Sequence, residues 1–429
     1  MRVLVVGGGA REHALVARCV GERDVDEVVA VPGNPGIAKL ARLARADVTN
    51  PEALLDLVDT HQIDLTIVGP EVPLSFGVAD AFVAAGRLIV GPTQAAARLE
   101  TSKAFAKSFM ARQQVPTARF RTCDTAAEAL ACARSGELGF PLVIKADGLA
   151  AGKGVVIAED LGDGETAIRQ AMTEQRFGSA GSRVVLEECL SGPEVSFFVL
   201  CDGTRAVPIG TAQDHKRIFD GDRGPNTGGM GAFAPSPLVD GPLHDRIMRD
   251  IVTPVVRGMA DEGYPFAGFL YVGLMLTAEG PKVIEFNVRL GDPEAQVILS
   301  LIDEPLLPLL VAAASGRLRQ MAVALASEVR VGVVLASRGY PESSESGQSI
   351  AGLDAAELTR GVTVFHAGTA KRDGRIVTAS GRVLTVVGSG SDYARAIERA
   401  YAGVSAISFD GMQFRHDIGQ KALAVSREP

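Results

Sequence analysis

The chain has 429 residues, 47% of them hydrophobic, and a formal charge of −8 without a basic run or tail. That length predicts about three domains with cores that need no covalent staples. The charge argues against nucleic acid or an anionic membrane surface as partner, and no apolar stretch approaches the ~20 residues of a membrane helix, so a cytoplasmic protein acting on small molecules is expected.

The cysteines Cys19, Cys123, Cys132, Cys189 and Cys201 lack CxxC or Cys/His metal spacing and read as reduced thiols. The chain opens into RVLVVGGG without the charged n-region of an export signal. Residues 2–6 read as a buried strand, 7–10 as a tight turn and 11–20 as a helix, an arrangement that aims backbone N–H groups at an anion. A dinucleotide fits this turn poorly: Glu12 stands where a third small residue belongs, and the second strand, VVAVPGN, ends without a ribose-binding acid. Strands at 64–68 and 88–90 end in Gly69-Pro70-Glu71 and Gly91-Pro92. Ligands of open parallel sheets bind beyond the strand C-termini, so Gly9, Arg11, Glu12, Asn34, Gly69, Pro70 and Glu71 form one candidate crevice. Taken singly, each also fits a turn or a cap.

Near Leu99 the character changes. Thr101-Ser102-Lys103 precedes a helix at 104–112, and QVPT at 114–117 leads into a second domain. A strand at 142–145 delivers Lys145, followed by the loop DGLAAGKG and a returning strand at 155–158. The small residues of that loop, Gly148, Gly152 and Gly154 among them, let backbone amides approach phosphates, while Lys145 and Lys153 supply charge. The GxxxxGK[ST] spacing is absent, and a surface loop with incidental lysines is the competing reading. A strand at 183–186 runs into EECLSGPE, where the backbone around Glu188 to Leu190 suits a base, Glu187 its amino group and Glu194 the ribose hydroxyls; a solvated acidic turn is the alternative. The segments QDHKR, carrying Asp214 and Lys216, and GPNTGGMG read as active-site wall, whereas His215 alone more often serves a structural role.

Strands at 269–276 and 282–290 form a hairpin across Gly280-Pro281. The alternation in PKVIEFNVRLGDPE sets Glu285, Asn287 and Arg289 on one face and Val283, Ile284 and Phe286 toward a core. Hard oxygen donors two residues apart suit Mg²⁺, which shares its shell with water and substrate phosphates, and a nearby arginine suits phosphate or carboxylate oxygens. An ordinary polar strand face is the alternative. Residues 306–314 read as a core helix; beyond Gly316 come antiparallel strands at 330–336, 363–366 and 381–387 and a helix at 391–405, with His366 and His416 in structural roles.

A lysine strand, a glycine loop, an EExLxGxE segment and an ExNxR strand in this order resemble the ATP-grasp ligases. GGGAREHAL, VPGNPG, DLTIVGPEVPL, SKAF, VIKADGLAAGKGV, AQDHKR, GPNTGGMGA, GFLYVGLM, VIEFNVRLGDPE and VFHAGT, spread over nearly the whole chain, make it similar to their glycinamide ribonucleotide synthetase family. The resemblance implies a multidomain α/β and α+β fold: a doubly wound parallel-sheet domain over 1–101, an ATP-grasp body over 102–328 with a lid near 116–194, and a C-terminal α+β domain over 329–429. It implies that ATP meets Lys103, Lys145, Gly148, Gly152, Lys153, Gly154, Glu187, Glu188, Leu190 and Glu194. Mg²⁺ or Mn²⁺ would be held by Glu285 and Asn287. The strand GFLYVGLML offers no further metal carboxylate, so water or phosphate oxygens would complete the shell. Arg289, Asp214, Lys216 and Asp292 would face glycine and the transferring phosphate, and the N-terminal crevice would hold 5-phosphoribosylamine. The implied activity is ATP-dependent joining of glycine to that amine in purine synthesis, through glycyl phosphate guarded by closure of the 148–154 flap, by a monomer in transient contact with the preceding amidotransferase. A carboxylating purine enzyme would lack the N-terminal and DHKR motifs. A non-catalytic nucleotide sensor would not need the metal strand.

Overall fold

The computed structural model describes residues 1–149, 154–319 and 322–425. Strands β1 (Arg2–Gly7), β2 (Glu27–Pro32), β3 (Arg42–Leu43), β4 (Leu65–Val68) and β5 (Leu88–Val90) form a parallel sheet of order β3-β2-β1-β4-β5. Both faces of β1 are covered, and Val3 to Val6 are fully buried, as an unbroken apolar run in a parallel sheet requires. The strand order reverses at β1, so the ends of β1 and β4 face one crevice, where the helix Ala10–Val20 begins.

A four-stranded antiparallel sheet, order β6-β9-β7-β8, follows: β6 (Phe120–Cys123), β7 (Leu142–Ala146), β8 (Val155–Ala158) and β9 (Val184–Glu188). It carries its own small core around Ile144, Leu186 and Ile168. The largest sheet begins with β10 (Glu194–Asp202) and β11 (Ala206–Asp214); a small hairpin of β12 (Arg217–Phe219) and β13 (Arg223–Asn226) intervenes before β14 (Gly231–Ala234), β15 (Ala267–Thr277) and β16 (Gly280–Asn287). The C-terminal strands are β17 (Val329–Ala336), β18 (Val362–His366), the hairpin β19 (Thr369–Arg372) and β20 (Arg375–Thr378), and β21 (Arg382–Gly390). Pairing of β14 with β17 through Ala232 and Gly332 makes one eight-stranded sheet, order β16-β15-β10-β11-β14-β17-β21-β18. The C-terminal strands thus continue the body's sheet, and the helix Tyr393–Ala406 packs on them, capped by the Asp392 carboxylate at Arg395 N.

The structure corrects three readings of the hairpin: its turn lies at 278–279, since Gly280 and Pro281 already pair with Thr277 and Leu276 in β16, and two more concern the strand itself. The β15–β16 register shifts between Gly273, opposite Glu285, and Leu274, opposite Val283, which leaves Ile284 as a bulge, half-buried rather than in the core. One extra residue resets the alternation, so Val283 and Phe286 are both buried while the Ile284 carbonyl turns to accept from Lys145 Nζ at 2.9 Å. The strand also stops at Asn287, because Val288 N donates to the Glu100 carboxylate at 2.7 Å instead of to the sheet. Arg289 therefore lies past the strand end rather than in line with Glu285 and Asn287.

Candidate active site

The sequence-predicted residues fall into two groups joined by the loop after β16. The first surrounds Glu285. Lys145 on β7 and Lys107 on the helix Lys103–Arg112 both grip the buried Glu187, at 3.0 and 2.7 Å. Lys103 opens that helix and donates to Gly148 O at 3.4 Å, while Ser102 Oγ and Ala104 N hold Asp147 Oδ1 at 3.0 and 3.1 Å. Lys216 reaches Glu194 Oε2 at 2.5 Å and lies 3.8 Å from Asp214 Oδ1. Burial works against ionisation of Glu285, but the charges of Lys216, Lys145, Lys103 and Arg289 outweigh it and hold its pKa below the ordinary value. Burial likewise opposes the Lys216 charge, yet Asp214 and Glu194 raise its pKa. Lys107 is drawn down to about 8 by burial, with Glu187 opposing. Asp214 is pushed up by burial.

Among the described residues, neither the Glu285 carboxylate nor the Asn287 amide forms a hydrogen bond or ion pair. Facing them on β15 are Gly273 and Tyr271. A Cβ on Gly273 would stand 3.1 Å from Glu285 Cγ, so the glycine leaves room for that side chain. No cluster of three or more His, Cys, Asp or Glu able to cage a metal occurs among the described residues. An ionised carboxylate and a free amide oxygen fit a hard divalent cation that takes its remaining ligands from phosphate and water.

The second group lies at the ends of β1 and β4, and here the structure alters the expected use of the turn. The N–H of Gly9, aimed at an incoming anion by the sequence pattern, donates at 2.6 Å to Oε2 of the chain's own Glu12, whose other oxygen accepts from Arg11 Nε at 2.6 Å. The residue that spoils the dinucleotide spacing therefore supplies the anion itself. Gly69 is required beside it, because an added Cβ would sit 2.1 Å from Glu12 Oε1. Gly69→Ala is expected to cost about 1–3 kcal/mol of stability, read as a lowered unfolding midpoint. Gly241→Ala, where nothing lies within 4 Å, is the control; equal midpoints for the two variants would refute the contact.

Asn34 is committed to structure. Its carbonyl accepts from Gly36 N and Ile37 N, both at 2.9 Å, and its amide donates to Gly8 O and His366 O at 2.9 and 2.8 Å. Pro70 follows Gly69, and Glu71 accepts from Arg289 Nε at 3.2 Å. Arg289 also donates to Glu100 Oε1 at 2.9 Å; burial opposes its charge, but the two carboxylates prevail and raise its pKa. Arg11 Nη1 donates to Leu290 O at 3.0 Å and Arg11 N to Asp292 Oδ2 at 3.3 Å. Arg289, whose charge also acts on Glu285, thus connects the crevice to the Glu285 cluster. Glu188 is turned away, its carboxylate bound to Arg119 N and Nε at 2.9 and 2.6 Å, and Leu190 lies half-buried between β9 and β10. Gly154 is buried and its carbonyl accepts from Ala146 N at 2.8 Å; Gly152 and Lys153 lie outside the described residues.

Sequence reasoning missed four charged groups. Lys107 was legible, since it stands one helical turn after Lys103 on the same face. Glu100 and Arg382 carry no local pattern, and their partners are far along the chain. Glu294 was seen only as part of GDPE; burial and the nearby Asp214 push its carboxyl up to about 7, and Ser196 Oγ lies 3.5 Å away.

Comparison with known proteins shows what the whole chain is similar to. Models of the N, ATP-grasp (A) and C domains of phosphoribosylglycinamide synthetase match residues 1–100, 101–295 and 330–421. A Xylella fastidiosa protein named phosphoribosylamine–glycine ligase is 49% identical over 427 residues, covering 99% of this chain and 98% of its own. One from Ralstonia nicotianae with the same name is 47% identical over 424 residues, covering 99% and 100%. The crystal structure of phosphoribosylamine–glycine ligase from Thermotoga maritima matches with a TM-score of 0.86 at 32% identity, over 97% of this chain and 100% of that one. A biotin carboxylase from Campylobacter jejuni, solved as its beta-gamma-ATP complex, matches with a TM-score of 0.73 at 16% identity over 99% and 95%, a likeness of fold alone.

Proposed function

The chain belongs to the phosphoribosylglycinamide synthetase family, and from that membership we infer how its two clusters divide the work of an ATP-dependent carboxylate–amine ligase. It joins glycine to 5-phosphoribosylamine, forming glycinamide ribonucleotide, ADP and phosphate in purine biosynthesis. The observation that carries the assignment of roles is the Glu285 carboxylate, which forms no hydrogen bond or ion pair among the described residues and is kept ionised by Lys216, Lys145, Lys103 and Arg289.

ATP lies between the lid sheet and the body, with Lys103, Lys145 and the backbone of Gly148 at its phosphates, the backbone of Glu188 and Leu190 against its base, Glu187 at the base's amino group and Glu194 at the ribose hydroxyls. Glu285 and Asn287 hold Mg²⁺ or Mn²⁺, which when bound neutralises phosphate oxygens. Glycine and the γ-phosphate are both anions, and Arg289 and Lys216 offset their repulsion while Asp214 and Asp292 orient the cationic partners. A glycine carboxylate oxygen attacks the γ-phosphorus, ADP leaves, and the neutral amine then attacks the acyl carbon of glycyl phosphate, expelling phosphate and losing a proton. Lys145 bonds Ile284 O across lid and body, so the acyl phosphate forms between two sheets that shield it from water. The N-terminal residues Gly9, Arg11, Glu12, Asn34, Gly69, Pro70 and Glu71 bound the amine's site, Glu12 and Asn34 by shaping its walls. No helix among the described residues is long and apolar enough to cross a membrane; we place the enzyme in the cytoplasm, as a monomer that meets the preceding amidotransferase transiently.

The test is ADP and phosphate release with Mg²⁺-ATP, glycine and phosphoribosylamine formed in place from ammonia and ribose 5-phosphate, each omitted in turn. Turnover needing all of them, with the mass of glycinamide ribonucleotide appearing, is expected; release indifferent to glycine would overturn the reading. Lys145→Ala removes a charged contact worth about 1.5–3 kcal/mol, so the KM for ATP should rise about tenfold or more while that for glycine moves little. An unchanged ATP dependence would remove Lys145 from the phosphate site.

A further inference from the structure

The loop GPNTGGMG reaches the cluster through one peptide. Thr227 donates from both N and Oγ1 to the Lys216 carbonyl, at 2.7 and 2.8 Å, and Gly229 N donates back to Thr227 Oγ1 at 2.9 Å. Gly228, between them, is held on both sides by the C-terminal unit: its N–H donates to Tyr340 Oη at 2.8 Å and its carbonyl accepts from Arg382 Nη1 at 2.5 Å. The same Nη1 donates to the Asp292 carbonyl at 2.5 Å and lies 3.5 Å from Asp292 Oδ1. Asp292 in turn accepts from Gln296 Nε2 at 2.9 Å and from Arg11 N at 3.3 Å. One guanidinium thus sets the distance between the loop behind Lys216, the loop after β16 and the start of the first helix. Gly228 makes room for it and Gly229 for the loop after β16: a Cβ at Gly228 would meet Arg382 Cζ at 2.9 Å, and one at Gly229 would meet Pro293 Cδ at 2.6 Å.

We propose that Arg382, with Tyr340 as its support, is a positioning residue for the ligation, through which the C-terminal unit fixes Lys216 and Asp292 relative to each other. The proposal rests on the ligase reading above. Arg382 is distant in sequence from every group it aligns, and its one Nη1 donates to both the Gly228 and the Asp292 carbonyls.

Displacement of a reacting group by about 1 Å costs roughly a hundredfold in rate. Arg382→Ala should therefore lower kcat about a hundredfold while changing the KM for ATP less than about threefold, because the lysines on ATP belong to other elements. Gly228→Ala approaches the same contact from the other side: its Cβ displaces the guanidinium, and kcat falls. In the Arg382→Ala background the clash is gone, so Gly228→Ala should cost almost nothing further. Hydrogen–deuterium exchange of the peptide spanning 224–231 reads the clamp without turnover, and should be faster in both single variants at unchanged global unfolding midpoint. Additive losses, wild-type kcat in Arg382→Ala, or unaltered exchange would each overturn the proposal. A wild-type enzyme that needs no glycine would overturn the ligase reading instead, while the exchange result would still report on the clamp.

Discussion

Glu285→Ala should abolish Mg²⁺-dependent turnover, by about a thousandfold or more, and leave the fold in place. The carboxylate forms no hydrogen bond or ion pair with the described residues, so its removal takes away no native contact of that kind. It does take away the anion that Lys216, Lys145, Lys103 and Arg289 jointly keep ionised. Those cations then repel a divalent metal with no carboxylate to offset them. Glu285→Gln keeps the size and one oxygen but not the charge, and should fall nearly as far. The check is ADP release against Mg²⁺ concentration, beside a thermal unfolding curve. Near-normal turnover at saturating Mg²⁺ would refute the metal assignment, and a lost unfolding transition would make Glu285 a structural residue.

Acid should weaken the protein through buried histidines, and His215→Phe should remove a large part of that weakness. Burial drives His215 down to about 3, with Lys421 and Arg415 adding to the effect and Asp222 and Asp417 opposing it. Neither ring nitrogen has a hydrogen-bond partner among the described residues, and the ring packs edge-on to Phe233 at 5.9 Å. His13 is likewise lowered to about 3, by burial, His366 and Lys39, and His366 to about 4, by burial and Lys39. Each is neutral in the folded chain and takes up a proton near pH 6.5 once unfolded. Stability from these groups is therefore complete above about pH 6.5 and is lost as pH falls toward the folded values, by about 2 kcal/mol per histidine at pH 5. Glu294, raised to about 7, acts oppositely and adds stability as pH falls from 7. The comparison of variant with wild type cancels that term. Unfolding midpoints in denaturant at pH 7 and pH 5 should show His215→Phe about 2 kcal/mol less acid-sensitive than wild type; parallel losses in the two proteins would mean that His215 is protonated in the folded state.

The strand ends that carry the candidate residues were legible because the pattern and the glycines are local. The period-two alternation before Asn287, the lysine closing β7 and the glycine turns after β1 and β4 each arise within a few residues. The same rule misjudged Ile284, since a bulge depends on the partner strand, and the course of Arg289, since Glu100, nearly two hundred positions upstream, captures the backbone that would have continued β16. Glu12 was read as an obstacle to a dinucleotide; its role as the anion of its own helix start follows only once Gly69 stands beside it.

By itself the sequence determined the fold class, the family, the parallel sheet at one end, and which charged side chains are candidates for a phosphate and a metal, because motifs and periodicity are properties of short stretches. Only the tertiary structure decided which of those charges meet: Glu187 between Lys107 and Lys145, Arg289 between Glu71 and Glu100, and Arg382 across Gly228 and Asp292. Those pairings join residues far apart along the chain, and their strength depends on burial that packing of the whole molecule creates.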